Sequence, residues 1–123
     1  MPIVFVIATD WQLRATVRAE LRELHIDALG MDSPDDAGRA IAANQMPGAI
    51  VLEATANVAS NLAIHNLIKR IPTVVIASRT EWLPSLATEA KNLAPGSVVL
   101  YRPITVGDIV SKVRAILARG HAA

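Results

Sequence analysis

The sequence predicts an α/β protein, a doubly wound five-stranded parallel sheet with five helices in a single domain. Short runs of apolar, often β-branched residues alternate along the chain with segments whose apolar residues recur at helical spacing. Pro-Gly, Ser-Pro or capping signals punctuate most of these changes. The chain has 123 residues, of which 52% are hydrophobic and 19% charged, and this matches one ordinary globular domain.

Three strands and two helices are predicted in the first half of the chain. Residues 2–8 form a continuous apolar run, typical of a strand that is covered on both faces. A helix follows over residues 11–24, and a weaker strand fits residues 26–31. The Ser-Pro-Asp-Asp sequence at 33–36 opens a helix that runs to about residue 45, and residues 49–52 form a central strand.

The second half repeats this alternation. We predict a helix over residues 57–70, a strand over 73–77, a helix from 81 to about 93, and a strand over 97–101. Thr105 and Asp108 form a capping box that opens the last helix. The predicted strand order is the flavodoxin-like 2-1-3-4-5 with right-handed crossovers. The domain is predicted over residues 1–119, with residues 120–123 as a disordered tail or the start of a linker.

Composition excludes several classes of function. The chain has no cysteine, which removes disulfide frameworks, thiol catalysis and cysteine-ligated metals. Twelve Lys and Arg residues balance eleven Asp and Glu residues, so charge predicts no nucleic-acid partner. We expect no membrane partner and a cytoplasmic location, because no apolar run is as long as a membrane span or resembles a signal peptide.

The carboxyl ends of the strands are where a doubly wound sheet binds its ligands. No Gly-rich phosphate loop follows the first strand, so we expect neither flavin nor dinucleotide binding. None of the three histidines follows a strand, so we expect each to be solvated or to lie on a helix face, and Ser78 has no evident base. We therefore predict that the protein is not an enzyme. An alternative is a small α/β enzyme or binding protein that holds an anion with Ser78, Arg79 and Arg102.

Four stretches in the right order resemble the receiver domain of two-component response regulators, the CheY-like family. They are residues 47–53 (PGAIVLE), 71–78 (IPTVVIAS), 94–105 (APGSVVLYRPIT) and 106–117 (VGDIVSKVRAIL). The resemblance covers residues 2–119. It implies the same fold and a role in phosphorelay signal transduction.

In that family a histidine kinase supplies a phosphoryl group to an Asp at the end of the third strand. A magnesium ion assists, held by that Asp, by an acidic pair after the first strand and by a backbone carbonyl. A Thr or Ser after strand four and a Lys after strand five contact the phosphoryl oxygens.

The resemblance places different residues at most of these positions. The phosphoacceptor position is Glu53, and the acidic pair falls on Ala8 and Thr9, with Asp10 one residue late. The remaining positions are the carbonyl (Thr55), the Thr/Ser (Ala77, with Ser78 next), the Lys (Arg102), the proline that follows it (Pro103) and the switch aromatic (Val99).

These departures predict an atypical receiver, or pseudo-receiver, without a metal or other cofactor. Magnesium prefers several oxygen ligands, and the longer Glu53 side chain would misplace an attacking oxygen. We expect a Glu53–Arg102 ion pair, for which arginine suits better than lysine because its guanidinium fork can donate two hydrogen bonds to a carboxylate. The pair either mimics the phosphorylated state or only fills the pocket. A receiver that a histidine kinase still phosphorylates through a non-standard site is a further alternative.

The predicted partner is a protein: a histidine kinase, a phosphotransfer protein, an output domain or a second receiver. The family pairs through its fourth helix, fifth strand and fifth helix, which here predicts an interface, and a possible homodimer, at four residues (Trp82, Leu83, Leu86 and Tyr101). Arg14, Arg18 and Arg22 form a basic stripe on the first helix, which is predicted to be solvated.

Overall fold

The structure is a computed structural model that describes residues 3–55, 58, 61–78 and 93–121. Its strands form one parallel sheet in the order β2-β1-β3-β4-β5, which confirms the predicted topology. The strands are β1 (Ile3–Ile7), β2 (Asp27–Met31), β3 (Pro47–Glu53), β4 (Thr73–Ala77) and β5 (Val98–Tyr101).

The structure describes four helices and not the predicted five. They are α1 (Trp11–Glu23), α2 (Pro34–Ala42), α3 (Leu62–Ile68) and α4 (Val106–His121). The predicted helix from 81 to about 93 lies outside the described residues, except that Leu93 itself lies in a bend. The predicted second helix is longer than the observed one, since α2 ends at Ala42. Within the predicted helix over 57–70, Val58 is helical, Asn61 is the non-helical N-cap of α3, and α3 ends at Ile68; residues 57, 59 and 60 lie outside the described residues. Conversely, α4 includes the first two residues of the predicted tail.

Alternation along the central strands separates the core into two layers. On one face of β1, Val4 and Val6 pack with residues of α1 and α4, such as Leu21 and Val113. On the other face, Phe5 and Ile7 belong to a second cluster, to which α2 and α3 contribute. Side chains of successive strand residues point to opposite faces, so a strand covered on both sides must be apolar throughout. This explains the continuous apolar run that predicted β1.

Capping residues fix where two helices begin. Asp10 Oδ1 accepts from the backbone N–H groups of Gln12 and Leu13, so Asp10 is the N-cap of α1. The predicted capping box is confirmed, because the Thr105 hydroxyl accepts from Asp108 N and the Asp108 carboxylate accepts from Thr105 N. Both caps lie beside the carboxyl ends of the strands. Within the described residues no helix is both long and apolar enough to cross a membrane.

Candidate functional site

Glu53 is the last residue of β3, the central strand of the sheet. Ile50 to Leu52 are fully or almost fully buried, whereas the Glu53 side chain reaches the polar end of the strand and is 13% exposed. A carboxylate that is so little exposed needs hydrogen-bond donors in place of water. Its partners therefore determine what this site can do.

The loop that joins β1 to α1 supplies two donors. The backbone N–H of Thr9 donates to Glu53 Oε1 at 2.9 Å, and that of Asp10 donates to the same oxygen at 3.3 Å. Thr9 thus contributes its backbone and not a carboxylate at the position where the resemblance expects an acid. Asp10 is occupied in a different way, since its own carboxylate caps α1.

Arg102 engages the other oxygen. It follows β5, and its Nη2 lies 2.7 Å from Glu53 Oε2, with the Arg102 side chain 41% exposed. The predicted ion pair is therefore present, although the guanidinium fork does not use its capacity for two hydrogen bonds to this carboxylate. Only one Arg102 hydrogen bond to Glu53 is found, because Oε1 is directed at the Thr9 and Asp10 amides. The Arg102 N–H also bonds to the Ala77 carbonyl, and the peptide bond from Arg102 to Pro103 is cis.

The remaining predicted site positions line or flank this cluster. Ala8 and Ala77 are buried at the ends of β1 and β4, and neither side chain can donate or accept a hydrogen bond. Val99 lies in β5 and packs on a small cluster with Ala54 and Ala77. Thr55 accepts a hydrogen bond from Val58 N through its hydroxyl at 3.4 Å.

Two small cavities flank Arg102. One, of about 260 Å³, is lined by Glu53, Ser78 and Arg102 together with Ala54 and Ile76. The other, of about 420 Å³, is more apolar and is lined by Leu13, Ile76, Arg102, Pro103 and Ile104. The structure therefore brings Glu53, Ser78, Arg102 and the β1–α1 loop to one place, as the strand-end rule predicts.

The predicted interface is described only in part. Trp82, Leu83 and Leu86 lie outside the described residues, as does Arg79, so their predicted roles stay predictions. Tyr101, at the end of β5, is 37% exposed. His65 lies in a helix as predicted, and there it is buried, with its Nε2 3.1 Å from the Val58 carbonyl oxygen.

The sequence did not predict that Arg14 belongs to this site, nor that Gly30 makes room for it. Arg14, assigned to a solvated stripe, turns back along α1, and its Nη1 donates to the Ala8 carbonyl at 2.7 Å. Its stem and that of Arg18 lie over Gly30 of β2, where an added Cβ would stand 3.2 Å from Arg14 Cδ and 2.7 Å from Arg18 Cδ. A glycine inside a predicted strand is a signal of such close approach.

Comparisons with known proteins find similarity at the level of structure. No family model and no curated protein matches the sequence. A response regulator receiver protein from Burkholderia phymatum superposes with a TM-score of 0.76 at 19% identity, covering 96% of each chain.

Two further solved structures agree. The receiver domain of the Francisella response regulator 1452 gives 0.73 at 16% identity, covering 98% of this chain and 99% of that one. The beryllofluoride-activated NtrC receiver domain gives 0.70 at 16% identity, covering 96% and 95%. The chain therefore has the fold of the receiver domains of two-component response regulators.

Proposed function

We propose that this chain is a pseudo-receiver, which acts in signal transduction through protein–protein contacts and does not undergo magnesium-dependent phosphorylation. The observation that carries the proposal is the environment of Glu53. Both of its carboxylate oxygens already accept hydrogen bonds from the protein, one from two backbone N–H groups and the other from Arg102. An attacking oxygen would have to give up these donors before it could approach a phosphoryl group.

The donor set around Glu53 does not fit magnesium. Mg²⁺ requires near-octahedral oxygen ligands and is usually bound through one or two carboxylates. Asp10, the carboxylate of the β1–α1 loop, accepts from two N–H groups at the start of α1, and a guanidinium occupies one side of Glu53. We therefore propose that magnesium binding is weak or absent and that the Arg102 cation neutralises Glu53 in its place.

We propose that the protein is not an enzyme, because the receiver domains whose fold it shares are signalling proteins that act by contact with other proteins. We propose a cytoplasmic protein whose partner is a kinase, a phosphotransfer protein, an output domain or a second receiver, and not a nucleic acid. Tyr101 is the one described member of the predicted interface.

The Glu53–Arg102 pair fixes the β5–α4 connection to the centre of the sheet, and we propose that it holds one signalling conformation. A carboxylate has a single negative charge and a phosphoryl group has nearly two, so any mimicry of phosphorylation is partial. The simpler alternative is that the pair only fills the pocket. If the possible homodimer forms, a Glu53→Gln variant with an altered dimerisation constant, measured by sedimentation equilibrium, favours the first explanation, and an unaltered constant favours the second.

Treatment with a small phosphodonor tests the proposal. The protein is incubated with acetyl phosphate and magnesium, a phosphorylatable receiver domain serves as the positive control, and the intact mass of each is measured. We expect this chain to keep its mass under conditions that modify the control. A species heavier by roughly 80 Da, one phosphoryl group, would overturn the proposal and support the alternative of a non-standard phosphorylation site.

A further inference from the structure

Arg14 contacts the β1–α1 loop from the side opposite to Glu53. The loop's three residues, 8 to 10, direct two N–H groups at Glu53 Oε1, while the Ala8 carbonyl accepts from Arg14 Nη1 at 2.7 Å. The loop is thus held by a carboxylate at the end of β3 and by a guanidinium on α1. Hydrogen bonds to charged groups are stronger than neutral ones, so both contacts restrict the loop more than a neutral side chain would.

Space for Arg14 comes from β2. Gly30 pairs with Val6 in the sheet and lies beneath the aliphatic parts of Arg14 and Arg18. An alanine there would place its Cβ 3.2 Å from both Cγ and Cδ of Arg14 and 2.7 Å from Cδ of Arg18, so the arginine stems would have to move. The Arg18 Nε is itself buried and has no hydrogen-bond partner among the described residues.

We propose that Arg14 is the positioning residue of the Glu53 site, and that Gly30 is the position in β2 that admits it. Arg14 keeps the Ala8 carbonyl turned toward α1, and the following two amides then point at Glu53. Two arginine side chains thereby hold the site in place. Arg14 binds the loop, and Arg102 binds the Glu53 carboxylate. This inference deepens the proposed function, on which it rests, because it names what holds Glu53 in its closed arrangement.

Amide hydrogen exchange tests the inference. It is followed by NMR on the full chain and on its variants. Arg14→Met keeps most of the stem but removes the donors, and we expect the Thr9 and Asp10 amides to exchange roughly tenfold faster. Arg14→Lys, which retains a charged donor, should restore part of the protection. The matched control is Arg22→Met, which removes an exposed arginine of the same stripe and should leave both amides unchanged.

Two further comparisons separate positioning from a general loosening of α1. The Gln12 and Leu13 amides, which bond to the Asp10 cap, should keep their exchange rates in Arg14→Met. In a Glu53→Gln background the same substitution should have a much smaller effect on Thr9 and Asp10, since the acceptor through which Arg14 acts is already weakened. Equal acceleration of all four amides, or full additivity with Glu53→Gln, would overturn the positioning role.

Gly30→Ala tests the second part separately. We expect it to accelerate exchange at Thr9 and Asp10 as Arg14→Met does, and unchanged rates would overturn the assignment of Gly30 while leaving that of Arg14. If Arg14→Met does not fold, Arg14→Gln, which removes the charge and shortens the side chain, replaces it in the test. Unchanged exchange at Thr9 and Asp10 in Arg14→Gln would then overturn the inference. None of these measurements involves a phosphodonor, so a failure of the inference can be distinguished from a failure of the proposed function.

Discussion

The interior of the sheet and the carboxyl ends of its strands follow different chemical rules. Inside, β1, β3 and β4 bury nearly every side chain, and one apolar residue replaces another without changing the architecture. At the ends, individual polar atoms have specific partners. The Glu53 carboxylate, for example, accepts hydrogen bonds from three donors. The fold is thus determined by many interchangeable contacts, whereas the chemistry depends on a few that are not interchangeable.

This difference explains how a chain under 20% identical to three solved receiver domains can share their fold. The apolar pattern required by a sheet covered on both faces is satisfied by many sequences. The polar residues at the strand ends lie at the edge of the core and can change without disturbing it. Predictions about the interior should therefore give large effects on stability, and predictions about the ends should give smaller effects that depend on identified atoms.

The largest effect is expected for the interior. Ile50 of β3 is fully buried in the cluster beneath α2 and α3. Ile50→Ala should lower the free energy of unfolding by about 3 kcal/mol, since it removes buried methyl and methylene groups and leaves a cavity. Urea denaturation followed by circular dichroism measures the change. A loss below about 1 kcal/mol would mean that the interior is less well packed than described.

Glu53→Gln should have an intermediate effect, a loss of about 1–2 kcal/mol in the free energy of unfolding. The variant keeps one acceptor oxygen but removes the charge that attracts Arg102. Because Arg102 is partly solvated, losing its ionic partner costs less free energy than it would for a buried cation. The matched control is Asp36→Asn, which removes the exposed ion pair between Asp36 and Arg39, also 2.7 Å long. We expect the control to change stability by less than about 0.5 kcal/mol. If Glu53→Gln and Asp36→Asn lost the same free energy of unfolding, burial would not be what makes the Glu53 pair stronger.

Asp10→Ala should lower stability by about 1 kcal/mol, because two N–H groups at the start of α1 lose their acceptor. Asp10→Ser, which restores a capping oxygen, should recover most of the loss. The same urea titration measures both. If alanine and serine behave alike, the Asp10 carboxylate has a role other than capping, and its assignment as unavailable to a metal would need revision.

Gly38→Ala should give the smallest effect, and of opposite sign. Gly38 is exposed in α2, and an added Cβ would meet nothing within 4 Å. Alanine should therefore raise the free energy of unfolding by about 0.5–1 kcal/mol through helix propensity alone. Gly30→Ala, in the crowded position over which the two arginines lie, should lower it. If thermal denaturation showed that both substitutions change stability in the same direction, the contrast between the two environments would be contradicted.

The same division determines what sequence could predict. Most element positions follow from apolar periodicity, the strand order follows from the preferred topology of doubly wound sheets, and the capping box at Thr105 and Asp108 follows from spacing. The resemblance and the strand-end rule together predicted that Glu53 and Arg102 form a pair. They could not predict that Oε1 accepts from backbone amides, since every residue has an N–H and no side chain marks the two used here. Nor does a regular stripe reveal that Arg14 turns back to Ala8.

The central claim is that Glu53 is already fully engaged by the protein and is closed to phosphoryl chemistry. Its most direct test is a calorimetric titration of the protein with magnesium and beryllofluoride, with a phosphorylatable receiver domain titrated in parallel. We expect no saturable heat for this chain where the control gives a full binding curve. Saturable binding to this chain, abolished in Glu53→Gln, would contradict the claim.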